Sequence, residues 1–565
     1  MSNFFTDNPA LKHYITHPAM RGIVALKERD YADARQYDYA PVNYDDAIDS
    51  YEKILTLAGE ISGNIIAENA QSVDAEGSHI DDGRVDYASG TKLNLEATKS
   101  AGLMGVTIPR RYNGLNIPTV PFVMIGEMIA RADAGFYNVW GLQDCAETIY
   151  EFGSEEQRQE FLPRVCSGET MAMALTEPDA GSDLQSVMLK ATYDATDETW
   201  RLNGVKRFIT NGDAEISLVL ARTEEGTRDG RGLSMFIYDK RDGGMTVRRI
   251  EHKMGINGSP TCEIVFKNAK AQLCGSRRLG LIKYVMSLMN GARLGIAGQS
   301  VGISEACYRE AVDYANSRRQ FGKPIVDFPA VSQMLDNIKI KLDASRTLLY
   351  ATARYVDTYK LLEDVAKERP LTPEERTEMK SASRIADALT PLAKMMGSEF
   401  ANQNAYDCIQ VHGGSGFMKE YACERLYRDA RITSIYEGTS QLQVVAAIRY
   451  VLNGSYSKII GDLALQEPAE EHAALQRRID ALASDFTAVI ETVNSSENPL
   501  AKDSVARNLV EMSALLVMSR LLIADSARDD AFSRSAILFV DYAEAESSRH
   551  CTIIKNTLAH LRGFL

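Results

Sequence analysis

The chain changes its hydrophobic period once on the way in and once on the way out of a central segment, and this limits the folds open to it. Ile216, Leu218 and Leu220 alternate with Ser217, Val219 and Ala221, and Leu233, Met235 and Ile237 repeat the pattern. A period of two puts successive side chains on opposite faces of a strand. Asn203-Gly204, Asn211-Gly212 and Asp242-Gly243-Gly244 read as turns between antiparallel strands. Before this segment, helical patterns alternate with breaks such as Ile108-Pro109 and Asn113-Gly114; helical periodicity returns near Leu281 and persists. The expected fold is therefore mainly α with a central antiparallel β-domain. It divides into a Tyr-rich, irregular N-terminal arm (1–45), a helical domain (46–168), a β-barrel or sandwich domain (169–280), a second helical domain (281–450) and a C-terminal helical extension (451–565).

At 565 residues the chain exceeds what one hydrophobic core supports. Its net charge of −14 argues against a nucleic-acid or anionic-membrane partner. The eight cysteines form no CxxC pair and no disulfide framework, and the eight histidines show no ligand spacing, so no metal site is expected. Cys307 falls on an apolar helical stripe with Ile303, Ala311 and Tyr314, and His412 reads as a packed loop residue. The N-terminus lacks a basic start and an apolar run, which suggests a reduced, cytoplasmic protein. In the extension, Leu475, Ile479, Leu482, Phe486, Val489 and Val493 step by four and three as an amphipathic helix, which Asn498-Pro499 ends. Two further helices are expected beyond it. The extension should fold back on the body; a peripheral membrane contact through Leu515–Ala524 is the less favoured alternative.

Four segments carry the chemistry. Ser434-Ile435-Tyr436-Glu437-Gly438-Thr439-Ser440-Gln441 sets a carboxylate between an aromatic residue and a glycine, a way to hold a base at a cleft. Residues 175–183 read Leu-Thr-Glu-Pro-Asp-Ala-Gly-Ser-Asp and are followed by Phe208-Ile209-Thr210-Asn211-Gly212. Residues 318–324 read Arg-Arg-Gln-Phe-Gly-Lys-Pro. Residues 409–421 read Ile-Gln-Val-His-Gly-Gly-Ser-Gly-Phe-Met-Lys-Glu-Tyr and lead through Arg428-Asp429-Ala430-Arg431-Ile432 to Glu437.

In this order the segments resemble the acyl-CoA dehydrogenase family of flavoproteins, over about residues 50 to 450. The extension resembles that of the very-long-chain and 3-methylmercaptopropionyl-CoA branches. The resemblance implies FAD lying between the β-domain and the second helical domain, an acyl-CoA substrate, and electrons passed to an electron-transfer flavoprotein. It implies a homodimer or a dimer of dimers. Removing hydrogens from Cα and Cβ of a thioester needs a base, a hydride acceptor and a stabiliser of charge on the thioester oxygen. No side chain accepts hydride, so a cofactor is obligatory; in the family, hydride passes to flavin N5. The matching base is Glu437, whose backbone N–H would help bind the thioester carbonyl.

The resemblance gives Met173, Leu175, Thr176, Gly181, Ser182, Phe208, Thr210 and Ile432 to the flavin, and Thr439 and Gln441 to its adenine side. Ser182 reaches the pyrophosphate or the substrate, while Asn290, Arg293, Tyr436 and Gly438 contact the substrate. Arg318, Phe321, Gln410 and Gly414 match residues that reach the FAD of a neighbouring subunit. The family often has Trp at the Phe208 position and Gly at the Asp179 position. Some branches carry the base just before the arginine of an Asn-x-x-Arg segment; Ala292 stands there, and alanine cannot act as a base.

Two enzyme readings and one of another class compete with the dehydrogenase. An acyl-CoA oxidase would reoxidise the flavin with oxygen, and the nitroalkane branch uses Asp where this chain has Glu437. A DNA-associated alkylation-response flavoprotein also carries an extension, but it should be basic. Residues 453–565 hold 11 Lys/Arg against 16 Asp/Glu.

Overall fold

The computed structural model describes residues 2–562; Met1 and the last three residues of the extension, Gly563, Phe564 and Leu565, lie outside the described residues. The chain forms two compact units that divide after Gly295.

The first unit begins with α1 (Pro9–Ile15) and α2 (Met20–Lys27). The expectation of an irregular arm is corrected here. Leu11, Tyr14, Ile15, Ile23 and Val24 are buried, and so is Glu28 just beyond them. Glu28 accepts hydrogen bonds from Tyr51 (2.7 Å) and from Arg110 (2.6 Å and 3.1 Å). Such a buried ion pair costs stability if either partner is removed alone. Next come α3 (Tyr44–Ile61), capped by Asn43 accepting from the Asp46 N–H, and α4 (Ala67–Glu76), joined to it through a π-turn. A short hairpin, β1 (His79–Asp81) and β2 (Arg84–Asp86), turns on Asp82-Gly83, both at positive φ, and was not foreseen in the helical domain. The helices α5 (Ser89–Ser100), α6 (Thr119–Ala132), α7 (Ala134–Trp140), α8 (Cys145–Phe152) and α9 (Glu155–Cys166) follow.

The strands are β3 (Met171–Ala174), β4 (Lys190–Asp194), β5 (Thr199–Thr210), β6 (Ile216–Arg222), β7 (Leu233–Asp239), β8 (Met245–Ile250) and β9 (Thr261–Cys274). Pairing runs β6-β4-β5-β9-β7 and returns from β7 to β6, with β8 on β9. Most pairs are antiparallel, but β3 and β4 each lie parallel to β6. The period of two sorts the side chains into two cores. Ile216, Leu218, Leu220, Leu233, Met235 and Ile237 pack with Phe161, Leu162 and Val165 of α9. Val219, Ala221, Phe236 and Tyr238 face the other way and pack with Ile264 and Phe266. Asn211-Gly212 and Gly243-Gly244 turn as expected, but Asn203-Gly204 does not. It lies inside β5 as a bulge, where Gly204 at φ +145° comes so close to Leu189 that a Cβ would sit 3.1 Å from its Cα.

The long helix α10 (Met286–Ser317) carries the chain into the second unit. There α11 (Pro329–Glu368) and α12 (Pro373–His412) form a hairpin. A capping box starts α12, with Thr372 and Glu375 satisfying each other's backbone N–H. The helices α13 (Ala422–Thr433), α14 (Ser440–Leu452) and α15 (Ser455–Asp462) follow, and the extension supplies α16 (Glu470–Asn494), α17 (Ala501–Arg528) and α18 (Ser533–Arg562). The extension packs back on the unit, α17 against α11 and α14, and Ser535 donates to Asp343 at 2.6 Å. Leu515, Leu516, Val517, Leu522 and Ile523 are buried, so the apolar run is covered rather than offered to a lipid surface. No helix among the described residues is long and apolar enough to cross a membrane.

Candidate active site

In the first unit, β3 leads Met173 and Leu175 into the 175–183 loop. The loop is tied at its root by Lys206, which is fully buried and donates to the Leu175 carbonyl (2.7 Å) and to Glu177 (2.9 Å). Burial pushes the Lys206 ammonium down to about 8, against the pull of Glu177. Glu177 also accepts the N–H groups of Met188 (2.8 Å) and Leu189 (2.9 Å). Glu177 and Ala180 exchange backbone hydrogen bonds of 3.0 Å and 3.2 Å, which closes the turn. Asp179 within the turn and Gly181 and Ser182 beyond it are exposed, and a Cβ on Gly181 would meet only Thr176, at 3.9 Å.

Arg207 donates its N–H to the Thr176 carbonyl at 3.0 Å, so β5 runs beside the loop and brings Phe208 to it. Phe208 sits at φ +60° with 52% of its surface exposed, an unusual state for a bulky apolar residue. The Arg207 guanidinium lies over its ring at 4.6 Å. Thr210, half-buried at the end of β5, precedes Asn211, which bonds Thr170 (3.0 Å) and the Met171 carbonyl (3.2 Å) and accepts from Tyr87. Asn290 accepts from Arg293 at 3.2 Å on α10, and between them Gly291 lies against Asp144, whose Oδ2 would be 2.6 Å from a Cβ.

In the second unit, Glu437 stands at φ +53° and Gly438 at φ +85° in the connection from α13 to α14. The connection is tied down from both ends. The Ile432 carbonyl accepts the N–H of Ile435 (2.8 Å) and of Tyr436 (3.2 Å). Ser440 donates to the Ser434 carbonyl (3.0 Å) and to Glu399 (2.5 Å). Lys394, fully buried on α12, donates to the Gly438 carbonyl at 2.7 Å, and Gln443 donates to the same oxygen at 2.9 Å. The Tyr436 hydroxyl bonds Gln299, Thr439 caps α14 by accepting from the Leu442 N–H, and Gln441 stands exposed in its first turn. Glu437 is half-buried.

Tyr314 assembles a second group. It stacks on His412 at 4.3 Å and bonds Ser415 at 3.1 Å, which gathers the end of α10, with Arg318, to Gln410 and Gly414. Phe321 tops the hairpin β10 (Arg319–Gln320) and β11 (Lys323–Pro324) at φ +51°, 93% exposed.

Sequence reasoning missed Lys206, Lys394, Gln299 and Gln443 beneath these loops, and quoted Glu177 and Asn211 in their motifs without reading the ties they make. It also missed a cluster. Cys408, His412 and Cys423 are buried with their ligand atoms all within 4.8 Å of one another, a grouping that the histidine spacing in the sequence did not show. Cys408 and His412 are one helical turn apart, a spacing that could have been noticed; Cys423 lies beyond the 413–417 turn.

Residues 53–169, 172–269 and 282–452 match the N-terminal, middle and C-terminal domains of acyl-CoA dehydrogenase, and residues 452–560 match a further segment described as acyl-CoA dehydrogenase C terminal. An acyl-CoA dehydrogenase of Bacillus subtilis is 36% identical over 63% of this chain and 88% of its own length. The 3-methylmercaptopropionyl-CoA dehydrogenase of Ruegeria pomeroyi is 33% identical over 72% of this chain and 70% of its own. The crystal structure of an acyl-CoA dehydrogenase complexed with FAD from Bacillus anthracis superposes with a TM-score of 0.75 at 24% identity, covering 91% of each chain, a likeness of fold. The chain belongs to the acyl-CoA dehydrogenase family, oxidoreductases acting on CH–CH bonds; the Bacillus anthracis relative of the same fold is complexed with FAD. The residues present in this chain fit FAD: an exposed aromatic face at Phe208, open space at Gly181 and a rigid turn between them.

Proposed function

We propose that the protein removes hydrogens from Cα and Cβ of an acyl-CoA thioester to give the trans-2-enoyl-CoA, with Glu437 as the base that takes the α-proton. The observation that carries this reading is the Glu437 connection, tied by Lys394, Gln443 and Ser440 at a left-handed turn. A fixed backbone lets the Glu437 N–H donate to the thioester oxygen and so acidify the α-carbon. Its half-buried carboxylate then accepts the proton over a short distance. Thr176, Ser182, Phe208 and Thr210, with Met173, Leu175, Gly181 and Ile432, would hold the flavin, and Thr439 and Gln441 its adenine end. Bound FAD supplies the acceptor for the β-hydride. Asn290 and Arg293, with Tyr436 and Gly438, would hold the acyl-CoA.

Arg318, Phe321, Gln410 and Gly414 would complete the FAD site of a second copy, making a homodimer the working form. An Arg suits the diphosphate through its planar fork of donors, and the exposure of Phe321 supports a covering partner. The electron acceptor is an electron-transfer flavoprotein, in the cytoplasm, and the acyl groups are long, branched or otherwise unusual. Anaerobic mixing of FAD-loaded protein with short, long, branched and sulfur-containing acyl-CoA thioesters tests the reading. Bleaching of the flavin with formation of the enoyl-CoA is expected for at least one class; no bleaching by any of them would overturn it.

A further inference from the structure

We infer that Cys408, His412 and Cys423 form a binding site for a thiophilic divalent cation of the zinc class, at the junction of α12 and α13. The three residues are buried and their ligand atoms converge within 4.8 Å. Tetrahedral coordination with Zn–S of ~2.3 Å and Zn–N of ~2.0–2.1 Å needs these atoms closer by up to about 1 Å. Small side-chain rotations supply that.

The arrangement around them is that of an oriented ligand set. His412 Nδ1 lies 2.8 Å from the Cys408 carbonyl. A carbonyl only accepts, so Nδ1 carries the proton and Nε2 is left with the lone pair. The same Nδ1 lies 4.0 Å from Cys408 Sγ. The plane of the imidazole is fixed by Tyr314 stacked at 4.3 Å and Tyr421 edge-on at 5.8 Å. The Cys423 thiol donates to the Gly416 carbonyl at 3.6 Å.

Charge favours a divalent ion. Two thiolates and a neutral imidazole neutralise it, so the loaded site carries no net charge into the core. Binding releases the two thiol protons and forms two metal–sulfur bonds and one metal–nitrogen bond. It ties the end of α12 to the start of α13 across the Gly413–Phe417 turn, where the close packing of Gly416 on His412 and the Ile409 carbonyl already leaves no room for a Cβ. The cation is structural, distant in role from hydride transfer.

The test uses FAD-loaded protein, reduced and freed of metal by a chelator, then titrated with Zn²⁺ or Co²⁺. We expect about one ion per chain retained after desalting. Co²⁺ should give intense thiolate charge-transfer absorption and tetrahedral d–d bands to the red of the flavin spectrum. Cys408→Ser combined with Cys423→Ser should weaken binding about 100-fold or more, while Cys166→Ser, outside the cluster, leaves it unchanged. Retention of well under one ion, Co²⁺ bound without thiolate bands, or undiminished binding by the folded double variant would overturn the proposal. Should the double variant fail to fold, the wild-type stoichiometry and Co²⁺ spectrum decide alone.

Discussion

The 175–183 loop of the first unit and the Glu437 connection of the second are held by the same device and use their carboxylates in opposite ways. In each, a fully buried lysine donates to a loop carbonyl at 2.7 Å, Lys206 to Leu175 and Lys394 to Gly438. In the first loop, Glu177 is turned inward, paired with Lys206 and bonded to two backbone N–H groups. It is structural. In the second, the carboxylate residue itself occupies the left-handed position, half-buried, while its neighbours supply the ties. A buried lysine on a carbonyl thus fixes a backbone and leaves the loop's own carboxylate either consumed or available.

Lys206→Met is the strongest way to break this comparison. It strands Glu177 in the core without its counter-charge, which costs ~3–5 kcal/mol and should abolish FAD retention. Denaturant unfolding and the ratio of flavin to protein absorbance measure both. Lys394→Met leaves the Gly438 carbonyl without its charged donor, at a cost of about 1–3 kcal/mol. FAD content should hold, while flavin reduction slows because the Glu437 backbone is no longer fixed. If the Lys394 variant lost FAD, or kept FAD and reduced it at the wild-type rate, the two lysines would not serve the distinct roles assigned to them.

Phe208→Gly gives the smallest effect. It relieves a left-handed backbone worth about 1 kcal/mol, so FAD-free protein should melt slightly higher. Loss of the aromatic face should weaken FAD binding about tenfold, from a stacking contribution of ~0.5–1.5 kcal/mol. A variant that binds FAD as tightly as the wild type would remove Phe208 from the flavin site.

The central strands were legible because β6 and β7 place one set of side chains against α9 and the other between strands, so period two survives in the sequence. The site motifs were read through their resemblance to a family, and in the structure Phe208, Phe321, Glu437 and Gly438 among them stand at positive φ. What stayed hidden has physical causes. Lys206 and Phe208 share parity in β5, yet a shift of register between Lys206 and Ile209 buries one and exposes the other. Asn203-Gly204 suits a bulge as well as a turn. The helices of the arm, seven and eight residues long, are too short to display a period. Lys394 reaches its loop from another helix, and Cys423 meets Cys408 and His412 only once the 413–417 turn is made.

The central claim is that Glu437 takes the α-proton, and Glu437→Gln tests it most directly. The amide keeps the size and the left-handed backbone while removing the base. In anaerobic stopped-flow mixing with an acyl-CoA that bleaches the wild type, the variant should retain FAD and bind the thioester but reduce the flavin ~10²–10⁴-fold more slowly. Bleaching at the wild-type rate would contradict the account and give the proton to another residue.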